Sequence, residues 1–234
     1  MLARVRATGM MSSPSSQRLQ GLVSRAYRLP GGVLLCLLCL AAQGATLPTT
    51  LPAASMPEAA HVCAACHGAL GAGNASGVPR IGGMSADYLA HALSAFKAGR
   101  RRSKTMQPIA RTLSDADIDT LARYFAAQDP PLAPSPQPPS PDWVAAGKAL
   151  AFRGGNKSTP ACFECHGMNA RDDDQRAPRI TGEPAIYVVN RLHAFQARAR
   201  LGTFKPGSMT EVASKLTDTE IRNVAAYLSV TPPD

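Results

Sequence analysis

The chain has 234 residues, which leaves room for one large domain or two small ones. Six Phe, five Tyr and one Trp are too few aromatic side chains to dominate the core of one large domain. The net charge of +9 suggests nucleic-acid binding. However, residues 1–45 hold five of the 25 basic residues and no acidic one, which leaves 20 basic against 16 acidic residues, a net charge of +4. This near balance excludes a strongly basic nucleic-acid-binding protein.

Residues 1–45 have the three parts of a secretory signal peptide. A basic and polar segment, 1–28, precedes 12 apolar or small residues at 31–42, and further small residues follow. About 20 apolar residues are needed to span a bilayer, and this stretch has only 12. We therefore expect the signal peptide to be cleaved and the protein to be exported to the periplasm. An uncleaved membrane anchor is the alternative. A start at Met10 or Met11 would shorten the long basic segment.

The first half of the exported chain, residues 46–129, carries a Cys-x-x-Cys-His motif at Cys63, Cys66 and His67. This spacing is the attachment signature of a c-type haem. The two thiols form thioethers with the porphyrin vinyl groups, and the adjacent histidine lies under the iron as its proximal ligand. The motif therefore predicts one covalently bound haem c in this half.

A proline-rich segment, residues 130–141, separates the two halves. Its composition favours polyproline II, a semi-rigid spacer that could reach roughly 37 Å at ~3.1 Å per residue. We interpret it as a linker that either separates the halves or runs along their surface. The second half is residues 142–234.

The second half repeats the first. Cys162, Cys165 and His166 stand 99 residues after the first motif, and further residues match at the same or a slightly larger offset. A zinc site would pair its Cys-x-x-Cys motifs ~15–20 residues apart, and a disulfide framework gives no reason for a following His. Two matched motifs in an exported chain therefore predict two covalently bound haem c groups.

The repeat also selects the expected distal iron ligands. Met106 and Met209 correspond to each other, 39 and 43 residues beyond their proximal histidines, and methionine is a common second axial ligand in cytochromes c. His61, His91 and His193 have no histidine at their repeat positions. Bis-histidine ligation in either half is the alternative.

Apolar residues recur at helical spacing in both halves, and no convincing alternating strand pattern is present. Thr217 to Glu220 reads as a capping box before the last helix, and Ser114 to Asp117 as a weaker one. Pro57 permits only a short helix before the first motif. The predicted fold is all-α, with helices over Leu89–Phe96, Ile118–Phe125, Trp143–Phe152, Val188–Phe195 and Ile221–Leu228.

Together these motifs resemble the di-haem cytochrome c4 family, within the class I c-type cytochromes, over residues 58–129 and 142–231. The resemblance implies two tandem class I domains related by a pseudo-twofold axis, each a few helices around one His/Met-ligated haem. It places Pro79 and Pro178 on the proximal side, where a backbone carbonyl orients the ligand histidine. The shortened first helix and the proline-rich linker depart from the family pattern. Further haem-pocket residues expected from the matched positions are Arg80, Tyr88, Arg179 and Tyr187.

The resemblance implies a periplasmic electron carrier rather than an enzyme, passing electrons toward a terminal oxidase. A quinol–cytochrome c oxidoreductase or a dehydrogenase is an expected partner, nucleic acid is not, and membrane-surface association would come through such partners. The alternatives are the haem subunit of a dehydrogenase complex, or a haem enzyme of peroxidase or thiosulfate dehydrogenase type with one open or unusually ligated iron. Basic residues at 100–104, with Arg198, Arg200 and Lys205, either dock an acidic partner or are solvated loops.

Overall fold

The computed structural model describes residues 55–155, 159–167, 177–202 and 204–233, so the predicted signal peptide lies outside the described residues. Over these ranges the regular backbone is α-helical apart from one isolated bridge, and this confirms the predicted all-α class. Each helix predicted from periodicity lies inside an observed one. The helices are α1 (Ala60–His67), α2 (Ala86–Lys97), α3 (Met106–Thr112), α4 (Asp115–Ala126), α5 (Pro141–Arg153), α6 (Cys162–His166), α7 (Ala185–Ala199), α8 (Met209–Ser214) and α9 (Asp218–Val230).

None of the helices within those ranges is both long enough and apolar enough to cross a bilayer. The longest, α7, has 15 residues.

The core of the first half lies between α2 and α4. Leu89 and Phe96 of α2 and Leu121 and Phe125 of α4 are all at most 9 % exposed. These residues sit at helical spacing on one face of each helix, so burying them removes one continuous apolar stripe from water. Full burial of each such side chain is worth about 1.5–3 kcal/mol.

In the second half, α5 and α9 pack closely along their length. Gly147 of α5 makes this approach possible, because a Cβ atom built there would lie 2.0 Å from the Asn223 carbonyl oxygen. Three aromatic rings close the end of this interface. Phe152 and Phe163 lie 5.0 Å apart, and Tyr227 stands 6.4 Å from each of them, all edge to face.

Both predicted capping boxes are present. The Thr217 hydroxyl accepts the Glu220 N–H, and the Glu220 carboxylate accepts the Thr217 N–H. Ser114 and Asp117 make the same reciprocal pair at the start of α4, so the weaker pattern forms a complete box too. Each box satisfies two backbone donors that a helix start would otherwise leave without partners.

The two halves differ before their Cys-x-x-Cys-His motifs, as the prolines predict. Residues 55–59 are not helical, and α1 begins only three residues before Cys63. In the second half, the 13-residue α5 precedes the motif. The sequence patterns did not predict the short helices α3 and α8, which begin at Met106 and Met209.

The start of the linker runs along the first half rather than away from it. Arg80 is 1 % exposed, and its guanidinium donates to the carbonyl oxygens of Gly82, Pro130 and Pro131. The halves also touch directly, since Arg101 of the first half donates to the Tyr187 hydroxyl at 2.8 Å. The shortened first helix and the proline-rich linker therefore coexist with direct contact between the halves.

Candidate haem sites

A mostly apolar cavity of about 390 Å³ opens in the first half. The predicted attachment and iron-ligand residues Cys63, Cys66, His67 and Met106 all line it. Core residues of α2 and α4 also line the cavity, as do residues of the second half where the two halves touch. One pocket thus brings together residues that the sequence places up to 43 positions apart.

His67 is held in one orientation and one tautomer. Its Nδ1 lies 2.8 Å from the Pro79 carbonyl oxygen. Because a carbonyl oxygen can only accept, Nδ1 carries the proton and Nε2 presents a lone pair. The side chain is 7 % exposed, and burial lowers the pKa of His67, which keeps the ring neutral. A neutral imidazole with a fixed second nitrogen is suited to bind a metal.

His166 repeats this arrangement in the second half. Its Nδ1 lies 2.7 Å from the Pro178 carbonyl oxygen, and burial likewise lowers the pKa of its ring. On the other side of the ring, Nε2 lies 3.5 Å from the Met209 Sδ atom. The predicted proximal and distal ligands of this half therefore face each other, although 43 residues separate them.

The four motif cysteines are free thiols. Cys66 and Cys165 are exposed, whereas Cys63 and Cys162 are partly buried, and burial raises the pKa of Cys63 and brings that of Cys162 to about 11. A disulfide framework is thus absent among the described residues. The thiols remain available for thioether bonds.

The three rival histidines lie elsewhere. His61, His91 and His193 are exposed, and none of them lines the first-half cavity. The Nε2 atom of His193 lies 3.3 Å from an Asp218 carboxylate oxygen. The first-half cavity therefore brings Met106, and none of these three histidines, together with His67.

The four further haem-pocket residues expected from the sequence are two tyrosines and two arginines, which the structure places differently. Tyr88 and Tyr187 come together, and their hydroxyls accept hydrogen bonds from Arg101 at 3.3 and 2.8 Å. Arg80 and Arg179 are both buried, but Arg179 is not among the residues that line the first-half cavity. Arg80 lines the cavity, but its guanidinium is occupied by the carbonyl oxygens already described.

Arg101 is a cavity residue that the sequence patterns missed, because it belongs to the basic run read as a docking surface. It stacks on the Phe96 ring, 4.6 Å from the centroid, and its Nε atom is buried without a hydrogen-bond partner. Haem carries two propionate groups, and the unpaired Arg101 Nε–H beside the cavity is a suitable hydrogen-bond donor to a propionate. The cavity, the thiols and the histidine tautomer together fit a covalently bound haem.

Glu183, Tyr187 and Arg191 show that the second half contributes to the first-half cavity. Of these, the sequence indicated only Tyr187. One signal for Glu183 was visible, since it stands where the repeat has Met84 in the first half. No single-sequence pattern indicates that Arg191 faces a cavity in the other half.

Two helical halves, each with a Cys-x-x-Cys-His motif and a carbonyl-bonded histidine, define a di-haem c-type cytochrome. Comparison with known proteins agrees. The family "Cytochrome C oxidase, cbb3-type, subunit III" matches residues 57–125, and the family "Cytochrome c" matches residues 144–231.

Two curated relatives and a solved structure are similar over most of the chain. The thiosulfate dehydrogenase electron acceptor of Thiomonas intermedia is 38 % identical over 182 residues, which is 77 % of this chain and 82 % of the relative. Cytochrome c4 of Pseudomonas aeruginosa is 32 % identical, covering 75 % and 87 %. The crystal structure of reduced recombinant cytochrome c4 from Pseudomonas stutzeri has a TM-score of 0.64 at 27 % identity, covering 74 % of this chain and 94 % of that one.

The chain therefore belongs to the di-haem cytochrome c4 family. It is an electron-transfer protein with two tandem cytochrome c domains and two covalently bound haem c groups.

Proposed function

We propose that the protein accepts electrons from a thiosulfate dehydrogenase in the periplasm and delivers them to a terminal oxidase. The observation that carries the proposal is the 38 % identity to a relative whose name gives it this role as acceptor. The haem subunit of a dehydrogenase complex, the alternative expected from the sequence, is the closely related case in which the same partner stays bound.

Within this function we assign His67 and Met106 to the first iron, and His166 and Met209 to the second. Supporting this assignment are the 3.5 Å approach of Met209 Sδ to His166 Nε2 and the shared cavity of His67 and Met106. Cys63, Cys66, Cys162 and Cys165 provide the thioether attachments. We take 46–129 and 142–234 as the domain limits, with residues 130–141 as the linker.

Each bound haem c supplies a one-electron couple between ferric and ferrous iron. The protein's part is to hold the ligands still, because small reorganisation favours rapid transfer. Pro79 and Pro178 fix the two histidine rings through their carbonyl oxygens. If His67 with Met106 and His166 with Met209 hold the two irons, no ligand position would remain open for a substrate.

The first attachment site reaches the surface. Cys66 is exposed, and its neighbour Val62 is 60 % exposed on the same short helix, α1. Val62 and Cys66 both line the first-half cavity, so this edge of the site is open to solvent and is a suitable place for a transient partner. Electrons would then cross at this edge.

The proposal is tested by mixing the oxidised protein with a thiosulfate dehydrogenase and following reduction through the haem absorbance after thiosulfate is added. We expect fast reduction that requires both the enzyme and thiosulfate. Reduction by thiosulfate without the enzyme would show that the chain is itself the dehydrogenase. Reduction only by a quinol–cytochrome c oxidoreductase would show a different electron donor.

A further inference from the structure

A buried carboxyl group of the second half enters the first-half site. Glu183 precedes α7, is 4 % exposed and lines the cavity that contains His67. Its Oε2 atom accepts a hydrogen bond from the backbone N–H of Arg80 at 3.0 Å. The two residues are 103 positions apart in the sequence, so this bond joins the two halves.

The peptide group that Glu183 contacts is the same one that holds His67. The N–H of the Pro79–Arg80 peptide donates to Glu183, and its C=O accepts from the His67 Nδ1–H at 2.8 Å. A carboxyl, one peptide unit and an imidazole therefore form a continuous hydrogen-bonded chain. Hydrogen bonds in such chains polarise one another, most strongly where the acceptor is charged.

We propose that Glu183 is a positioning residue that sets the reduction potential of the first haem through the Pro79–Arg80 peptide and His67. An ionised Glu183 polarises the Arg80 N–H and thereby makes the Pro79 carbonyl oxygen a stronger hydrogen-bond acceptor. The His67 Nδ1–H bond strengthens, and the ring becomes a better donor at Nε2. A stronger donor favours ferric iron and lowers the potential. The inference rests on His67 being the proximal ligand.

The second half has the same carbonyl–histidine bond but a different residue at the equivalent position. His166 donates to the Pro178 carbonyl oxygen at 2.7 Å. The repeat counterpart of Glu183 is Met84, which is 5 % exposed and has no carboxyl group. The hydrogen-bonded chain from Glu183 therefore acts on the first haem alone. It gives the two haems unequal reduction potentials, although the two halves arose by duplication.

The charge on Glu183 changes close to neutral pH. Burial raises the pKa of Glu183 to about 8, and the Arg80 N–H and the charges of Arg101 and Arg80 oppose this rise. Tyr187 also faces the carboxyl, and burial raises its pKa to about 12, so this hydroxyl stays neutral. The potential of the first haem should therefore depend on pH near pH 8.

The test is a spectroelectrochemical titration of the holoprotein at about pH 6 and about pH 9, comparing wild type, E183Q and E58Q. Glu58 is exposed on the first half, so E58Q makes the same chemical change without a buried contact. We expect one wild-type potential to fall as the pH rises. In E183Q that potential should stay near its low-pH value, whereas E58Q should behave as wild type.

A third variant, M106H, identifies the haem that responds, because a second histidine lowers the potential of its own iron. We expect the potential lowered in M106H to be the one whose pH dependence E183Q removes. A wild-type pH profile in E183Q, or a change confined to the other potential, would overturn the inference but not the ligand assignment. If M106H shifts neither potential, the assignment of Met106 fails, and the inference then stands or falls on whether E183Q removes the pH dependence of one potential.

A second measurement reports on the peptide itself. In the reduced, diamagnetic protein, the amide NMR signal of Arg80 should titrate with a midpoint near the pKa of about 8 assigned to Glu183. The signal should not titrate in E183Q. An Arg80 amide that titrates while both potentials stay constant would reduce Glu183 to a structural acceptor and overturn the inference.

Discussion

His67 and His166 show how a single hydrogen bond prepares a residue for its task. A carbonyl oxygen at 2.8 or 2.7 Å fixes the proton on Nδ1, so the opposite nitrogen, Nε2, keeps its lone pair. The motif predicted the two histidines, and the family resemblance predicted Pro79 and Pro178. The inter-half contacts of Glu183 and Arg101 could not be predicted, because no local pattern shows which distant backbone a side chain will meet.

Replacing Met209 tests the distal ligand directly. Met209→Ala removes the sulfur atom that lies 3.5 Å from His166 Nε2. We expect loss of about half of the far-red sulfur-to-iron absorbance, with one haem becoming high-spin and binding added imidazole.

Met84→Leu is the matched control, because Met84 is buried and lines the first-half cavity but is not assigned to an iron. This variant should retain both far-red bands. Equal loss in both variants would contradict the assignment of Met209.

Glu183 also makes folding stability depend on pH. Its pKa is about 8 in the folded protein against an ordinary value of 4.5, so between these values the folded state binds a proton that the unfolded state has lost. Stability from this group is complete below about pH 4.5 and is lost as the pH rises through about 8. Denaturant unfolding should therefore show wild type losing stability relative to E183Q across this window. If the difference in the free energy of unfolding between the two proteins does not change with pH, the folded state does not hold a proton on Glu183 in this range.

At the scale of helices, hydrophobic periodicity predicted the long helices but not the short ones. Leu89–Phe96 and Ile221–Leu228 show clear apolar stripes, and both lie within observed helices. The helices α3 and α8 have only seven and six residues, which is too short for a periodic signal. Prolines correctly predicted the shortened first helix, because they limit where a helix can start.

The packing of α5 on α9 depends on a missing side chain. In Gly147→Ala the new Cβ would lie 2.0 Å from the Asn223 carbonyl oxygen, which is backbone and cannot move away cheaply. We expect a loss of about 3 kcal/mol in the free energy of unfolding. Guanidinium unfolding followed by circular dichroism measures it. Lys148→Ala, at the next and exposed position, should change stability by less than about 0.5 kcal/mol, and equal losses would argue against the clash.

At the scale of the whole molecule, charge position matters more than net charge. Five positive charges belong to the predicted signal peptide, and Arg101, which belongs to the basic run at 100–104, turns inward to the tyrosine pair. Arg100, Arg102 and Lys104 remain exposed. The predicted docking surface is therefore smaller than the sequence suggested.

Charge reversal tests this remaining surface. The double variant R100E/K104E should slow reduction by the partner enzyme roughly threefold to tenfold at low salt, with the difference vanishing at high salt as screening removes steering. Lys148→Glu with Arg153→Glu makes the same charge change on exposed positions of α5. If this control slows reduction equally, the effect comes from net charge and not from the surface at residues 100–104.

The most direct test of the account is a coulometric redox titration of the purified protein with its absorption spectrum recorded at each step. Two His/Met-ligated haems predict two one-electron equivalents per chain, low-spin spectra throughout and far-red absorbance from both ferric irons. A single electron per chain, or a high-spin haem that binds cyanide readily, would contradict the di-haem electron carrier with closed coordination at both irons.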